Sequence, residues 1–238
     1  MSTGRIRGVL LDAGGVLVRP RGGRWNPRYD FEGIVLARHP DIAADRFPDA
    51  FAAGQRVLDE SPVTVGRAVY HRAILAALGI EDPDLLPQLE APPAGPTQLH
   101  TPVLELYPDV RPTLDDLASK GIGMAVVSDS WAGLDDMLAG LGIAHYFAGI
   151  VISEVLGCRK PDPRMYEAGR AHLGLDRAEC LFVDDDPELV AAARALGYRG
   201  VTLTRDGAAP GAITTLDRLR RLDPAQDLAG DDLGRLLM

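Results

Sequence analysis

Several things are scarce in this chain, and each scarcity narrows the classes of function open to it. Lysine occurs only at Lys120 and Lys160 among 238 residues; the other basic residues are arginine. Cysteine occurs only at Cys158 and Cys180, with no metal-ligand spacing, so neither a zinc site nor a disulfide framework is expected. No apolar run reaches the ~20 residues that cross a bilayer. The segment 1–8 passes directly into a short apolar stretch and lacks the long apolar core of a secretory leader. No membrane association is expected, and a cytoplasmic location is. The five histidines are scattered and have no partnered Ser or Cys nucleophile, which makes a triad hydrolase a poor fit. The loop around Lys160 lacks the glycine framework of a Walker-type phosphate loop. A formal net charge of −9 argues against nucleic acid as a partner, because such binding relies on cationic surface to displace counterions. A small anionic substrate stays compatible, since local cations can outweigh the net charge.

What is present is a rhythm. Short runs that are apolar throughout recur at Gly8–Leu11, Met124–Val127, Ile150–Ile152, Cys180–Val183 and Val201–Leu203. Such runs suit strands covered on both faces. Helical patterns lie between them. Leu114 and Leu117 form part of one face; Leu134, Met137, Leu138 and Leu141 form another, and Leu189, Ala193 and Leu196 a third. Alternating strands and helices predict α/β architecture with a doubly wound parallel sheet. Residues 19–102 break the rhythm, with helical segments near Tyr29–His39, Asp45–Leu58 and Thr64–Leu78 and a proline-rich exit at 91–102. In the last of these helices Val65, Val69, Ala73 and Ala76 are expected to form the apolar face. The domain expectation is thus an α/β core from 1–18 and 103–238, with a helical cap at 19–102 over the sheet's carboxyl edge. The acidic tail after Leu222 has no strong pattern and is expected to dock loosely.

Three of the strands end in polar groups. Asp12 follows the first and precedes Ala13-Gly14-Gly15, where two glycines leave backbone amides open to a ligand. Taken alone, Asp12 is as readily a turn-capping residue. Ser128 and Asp129 follow the second strand, and Asp184, Asp185 and Asp186 follow another. Adjacent carboxylates at one buried edge repel each other and call for a cation, which a hard ion such as Mg²⁺ or a basic side chain can supply. Lys160, in Arg159-Lys160-Pro161-Asp162-Pro163, is the candidate basic partner.

The four segments resemble, in order and spacing, the motifs of the haloacid dehalogenase-like (HAD) hydrolase superfamily. Leu11–Leu17 resembles the nucleophile motif, Val127-Ser128 the second, Lys160–Pro163 the third and Phe182–Asp185 the acidic fourth. The similarity covers roughly residues 6–18 and 105–205, with a loose match in the cap. The resemblance implies a Rossmann-like HAD core in which Asp12 attacks an electrophile and forms an aspartyl intermediate. Ser128 and Lys160 would bind the substrate's anionic oxygens, with Asp129 a further substrate-binding candidate, and Lys160 would also offset charge at Asp12. Mg²⁺ would be held by Asp12, the Gly14 carbonyl, Asp184 and Asp185. Arg24, beyond the nucleophile loop in a Gly-rich turn, is a further candidate substrate contact.

The chain also departs from the family pattern. Gly14 stands where phosphatases of the family carry a second Asp that protonates the leaving oxygen; Val16 replaces a usual Thr, and Leu189 a metal-supporting Asp or Asn. Losing a general acid costs ~10²–10⁴-fold. Asp129 and Asp186 are the nearest candidates to replace it. Three readings follow: a Mg²⁺-dependent phosphatase acting on a small phosphorylated metabolite, a metal-independent 2-haloacid dehalogenase-type hydrolase, and a non-catalytic descendant that binds a phospho-ligand or a protein. The acidic pair favours the first.

Overall fold

The computed structural model describes residues 4–20, 30–61, 65–91, 104–207, 209–226 and 232–237. The chain divides into two compact units, Met1–Arg19 with Leu106–Met238, and Pro20–Glu105.

The first unit is built on six strands: β1 (Gly8–Leu11), β4 (Gly123–Ser128), β5 (Ile150–Ile152), β6 (Cys180–Asp184), β7 (Arg199–Leu203) and β8 (Ala212–Ile213). They form one sheet in the order β5-β4-β1-β6-β7-β8, and each neighbouring pair is parallel. The chain starts in the middle with β1, builds outward through β4 and β5, then returns to the other side of β1 for β6. The change of direction falls at β1, and in open parallel sheets the crevice at such a point is where ligands bind. A separate two-stranded sheet pairs β2 (Val18–Pro20) with β3 (Leu104–Leu106).

The crossovers are helical: α5 (Val110–Ser119), α6 (Leu134–Gly140), α7 (Ser153–Leu156), α8 (Pro163–Leu173) and α9 (Pro187–Ala195). Their form follows from local sequence. Pro163 starts α8 where its missing N–H costs nothing, and the Asp162 side chain caps the Arg164 amide. Pro187 and Asp186 do the same for α9. On the sheet side of α8, a Cβ at Gly169 would lie 2.4 Å from Val127 Cγ2. Only glycine lets α8 press this closely on β4. The core beneath contains Leu10, Val127, Tyr166 and Phe182, all essentially excluded from solvent, with Tyr166 edge-on to Phe182 at 5.0 Å between centroids.

The second unit is helical: α1 (Phe31–Arg38), α2 (Phe47–Asp59), α3 (Arg67–Leu78) and α4 (Leu85–Glu90). Phe31, Phe47, Tyr70, Ile74, Leu78 and Leu85 fill its centre, and Arg38 holds Asp82 through two bonds of 2.7 and 3.1 Å. The expected face of α3 is corrected here. Val69 is 39% exposed and Ala76 is exposed, whereas Tyr70, His71, Ile74, Leu75 and Leu78 are buried. The bulkier stripe offers more apolar area, and burial scales with area. Arg24 lies outside the described residues. No described helix is long and apolar enough to cross a membrane.

The tail is better anchored than its composition suggests. A short helix, α10 (Asp232–Leu237), buries Leu233 and Leu237, and Arg221 donates to the Leu236 carbonyl at 3.0 Å.

Candidate active site

Register brings the polar strand ends together. Leu11 of β1 pairs with Val126 on one side and Val183 on the other, so the residues that follow, Asp12, Val127 and Asp184, emerge level with one another. The Asp12 amide donates to the Val183 carbonyl at 3.0 Å, which fixes the backbone of Asp12 against β6. Ser128 ends β4 one residue further along and is buried.

Lys160 sits at the centre. Its Nζ donates to Asp12 Oδ1 and to Asp184 Oδ2, each at 2.7 Å, and its side chain is 2% exposed. The segment that carries it is held from behind: Asp129 Oδ1 accepts from the Lys160 amide at 3.0 Å, and the other Asp129 oxygen lies 3.8 Å from Arg159. Asp184 uses its second oxygen to accept from the Asp186 amide at 2.9 Å. Asp185 packs over the loop that follows Asp12, where a Cβ on Gly15 would come within 2.1 Å of its Oδ2. Gly15, at φ +71°, is thus required both by its backbone angle and by this contact.

The electrostatics are lopsided, with three carboxylates around one ammonium. Burial alone would push the Lys160 amine down, but Asp12, Asp184 and Asp129 together hold it well above its ordinary value. The carboxylates do not gain equally. Desolvation raises Asp12 above its ordinary range despite Lys160, with Asp185 and Asp129 adding to the rise. Asp184 is likewise raised by burial and by Asp12, and only partly relieved by Lys160. Asp185 keeps an exposed edge, yet desolvation and the facing charge of Asp184 raise it as well. A single shared ammonium cannot neutralise all of them, and this corner of the protein carries unrelieved negative charge.

The chemistry of the donors fits a hard divalent cation. Carboxylate and carbonyl oxygens are the ligands Mg²⁺ prefers, and it commonly takes only one or two carboxylates, completing its shell with water. No cluster of three ligating side chains converges among the described residues. Asp12, Asp185 after β6 and the Gly14 carbonyl in the Asp12 loop are of the chemistry such an ion takes, whereas both oxygens of Asp184, also expected as a ligand, are engaged by Lys160 and the Asp186 amide.

Each carboxylate considered as a replacement general acid already accepts a backbone amide. Asp129 takes the Lys160 amide on one oxygen, and desolvation raises its carboxyl above the ordinary range. Asp186 caps α9 through the Glu188 amide at 2.8 Å and is exposed. Not expected from sequence were Arg205, whose guanidinium reaches the loop after Asp12, and Asp109, which holds it. Arg205 lies two residues after Leu203, the end of β7, on the same carboxyl edge. That position was the available signal.

A parallel sheet with a lysine-bridged pair of buried carboxylates at its switch point defines an α/β protein with a candidate site at its carboxyl edge. The chain belongs to the haloacid dehalogenase-like hydrolase family, whose sequence profile it matches over residues 6–197. It is 33% identical over 103 residues to a phosphatase of Mycobacterium tuberculosis, covering 42% of this chain and 48% of the relative. Over a longer stretch it is 28% identical to the phosphoglycolate phosphatase of Vibrio cholerae, across 220 residues, 88% of this chain and 93% of that protein. In the first of these the match spans less than half of the relative's length. Among solved structures, L-2-haloacid dehalogenase from Xanthobacter autotrophicus superimposes with a TM-score of 0.64 at 19% identity, over 91% of this chain and 98% of that one, which establishes a shared fold.

Proposed function

We propose that the protein is a Mg²⁺-dependent phosphatase for small phosphorylated metabolites that works through an aspartyl-phosphate on Asp12. The observation that carries this reading is the crowding of carboxylates around Lys160: two buried ones share its ammonium, while Asp185, against the Gly15 loop, faces the charge of Asp184. A 2-haloacid, itself a carboxylate, would meet this negative corner with Lys160 as the one buried ammonium among the described residues to receive it. A metal-dependent reaction relieves the same charge, so the phosphatase reading is favoured over the dehalogenase one.

In this reading a carboxylate oxygen of Asp12 attacks phosphorus and the bond to the leaving oxygen breaks. Water then attacks the phosphorus of the aspartyl-phosphate, releasing inorganic phosphate and restoring Asp12. Lys160 holds Asp12 in place and, with Ser128, receives the phosphoryl oxygens. Asp184 fixes Lys160 from the opposite side. When bound by Asp12, Asp185 and the Gly14 carbonyl, Mg²⁺ would supply positive charge to the phosphoryl group. Phosphoryl transfer needs mainly alignment and countercharge, which these groups offer. The helical segment inserted between β2 and β3 is proposed as the cap that selects the substrate, with Arg24 as one of its anion contacts.

Because Gly14 offers no side chain and Asp129 and Asp186 each already accept a backbone amide, this reading assigns no general acid among the described residues, and the leaving oxygen departs without one. Acyl and aryl phosphates, whose leaving groups are stable as anions, are the substrates this site suits. The test is a series of substituted phenyl phosphates plus an acyl phosphate, assayed with Mg²⁺ or EDTA. A steep fall of kcat/KM with rising leaving-group pKa, dependent on Mg²⁺ and lost in Asp12→Asn, is expected. A flat dependence would contradict the missing acid, and turnover surviving in EDTA would contradict the metal.

A further inference from the structure

We propose that Arg205 is a positioning residue for the Asp12 loop, acting through the carbonyls of Gly15 and Val16. The inference rests on reading Asp12 as the nucleophile. Arg205 lies in the turn between β7 and β8. Its Nη2 donates to the Val16 carbonyl at 2.5 Å, and its Nε makes a longer contact of 3.4 Å to the Gly15 carbonyl. Its Nη1 donates to Asp109 Oδ2 at 2.6 Å, and the guanidinium lies 3.9 Å over the ring of Tyr107. Asp109 is itself fixed, because the same oxygen accepts from the Thr215 hydroxyl and the Leu216 amide, both at 2.7 Å. Together these contacts hold the guanidinium, which is 12% exposed, in one orientation.

The loop gains from such a clamp. Its internal bonds run from the Leu17 and Val18 amides to the Ala13 carbonyl, both at 2.9 Å, and from the Gly15 amide to the Val18 carbonyl at 3.0 Å. The carbonyls of Gly15 and Val16 instead point to Arg205. Gly14 and Gly15 are adjacent, and consecutive glycines leave a backbone with more freedom to lose than any other pair. That freedom lies between Asp12 and the point where Arg205 grips. A planar fork that reaches two carbonyls and a carboxylate at once suits arginine, and lysine cannot reproduce it. Arg205 touches neither Asp12 nor Lys160 in any of these bonds, so its influence passes through the loop backbone.

The test compares Arg205→Ala and Arg205→Lys with Arg194→Ala. Arg194 makes a similar backbone clamp, two bonds to the Gly200 carbonyl at 3.1 and 2.6 Å, near the amino end of β7 and away from Asp12. Two readouts are taken on the full chain: hydrogen exchange of the loop amides, and Mg²⁺-supported turnover of para-nitrophenyl phosphate. Arg205→Ala is expected to speed loop exchange and to lower kcat about 10- to 100-fold with KM moved less than about threefold. Added methylguanidinium should restore part of kcat. Arg205→Lys should show the same kcat-specific loss in smaller measure, which keeps the test open if the alanine variant does not fold. Arg194→Ala should lower Tm and leave both readouts unchanged. Wild-type kcat and loop exchange in both Arg205 variants, or equal losses in Arg194→Ala, would overturn the proposal. If the wild-type protein turned over no phosphate ester, the Asp12 reading would fail by itself, and loop exchange would still decide the clamp.

Discussion

The two units of this chain are held together in different ways. In the α/β unit, strands β1, β4 and β6 are apolar along nearly their whole length and turn polar only at their carboxyl ends, at Asp12, Ser128 and Asp184. In the helical unit each helix buries one stripe, and polar contacts stay within the unit, such as the buried His71 Nδ1 with Glu90 Oε1 at 2.5 Å and, at the surface, Arg38 with Asp82. The difference shows where chemistry can be concentrated. A parallel sheet gathers several chain segments at one edge, so residues distant in sequence meet there; Lys160 and Asp12 are 148 positions apart. A small helical unit offers faces and no comparable gathering edge.

The sharpest way to break this comparison is at the edge itself. Asp12→Asn should lower turnover about 10³-fold or more, as removal of a nucleophile does. It should leave Tm nearly unchanged, and a circular-dichroism melt beside the kinetic assay checks both. Lys160→Met comes next. It should abolish turnover and destabilise the chain by about 3–5 kcal/mol near neutral pH, because it leaves Asp12 and Asp184 buried without their shared cation. Denaturant unfolding at neutral and mildly acidic pH should show that loss shrinking on acidification, as the carboxyls protonate. A loss that does not change with pH would contradict the pairing.

Metal dependence is expected to be smaller but visible in stability. Asp12, Asp184 and Asp185 are raised above the ordinary Asp value of 3.8, so the folded chain binds more protons than the unfolded one. Their stabilising effect is therefore present at acid pH and lost as pH climbs from that value through their raised range. Asp109 and Glu167, lowered by Arg205 and by Tyr198 and Arg170 against the opposing effect of burial, act in the opposite direction and lose their effect below their ordinary values. Metal-free protein should thus be most stable in weak acid. Mg²⁺ should raise Tm chiefly on the neutral side, by an amount equivalent to about 2.7 kcal/mol at a hundred times Kd. Scanning calorimetry across pH with and without Mg²⁺ reads this, and a Mg²⁺ effect that grew on acidification would have the wrong sign.

Effects confined to stability, with turnover untouched, test the helical unit, and the smallest of them is at Val69. Ile74→Ala should cost about 2–4 kcal/mol, and Val69→Ala less than about 0.5 kcal/mol. Equal losses would mean that the buried face of α3 is wrongly placed.

The contrast between the units also explains what could be read in advance. Strands β1 and β5 begin and end where their apolar runs do, and β4, β6 and β7 extend them by one or two residues. A strand covered on both faces leaves little room for another reading. The stripe on α3 was misread because alanine and valine kept a helical period beside the larger residues that are actually buried. The two-residue β8 and the six-residue α4 are too short to carry a pattern. Asp12, Ser128, Lys160, Asp184 and Asp185 were legible because each follows or ends an apolar run, or stands out as one of two lysines. The role of Asp129 in holding the Lys160 backbone was not legible, since it depends on a contact across 31 positions. Arg205 was hidden among many arginines: its place just after β7 was the one signal, and neither the two backbone carbonyls nor the distant Asp109 it holds is marked by a sequence pattern.

The account's central claim is that Asp12 carries the phosphoryl group. The most direct measurement is rapid acid quench of the Mg²⁺-loaded protein during turnover of an acyl phosphate, followed by mass spectrometry of the peptide that contains Asp12. The account predicts a phosphoryl adduct on Asp12 that appears within the first turnover and is absent from Asp12→Asn. Phosphate release without any adduct on that peptide, or an adduct on another residue, would contradict it.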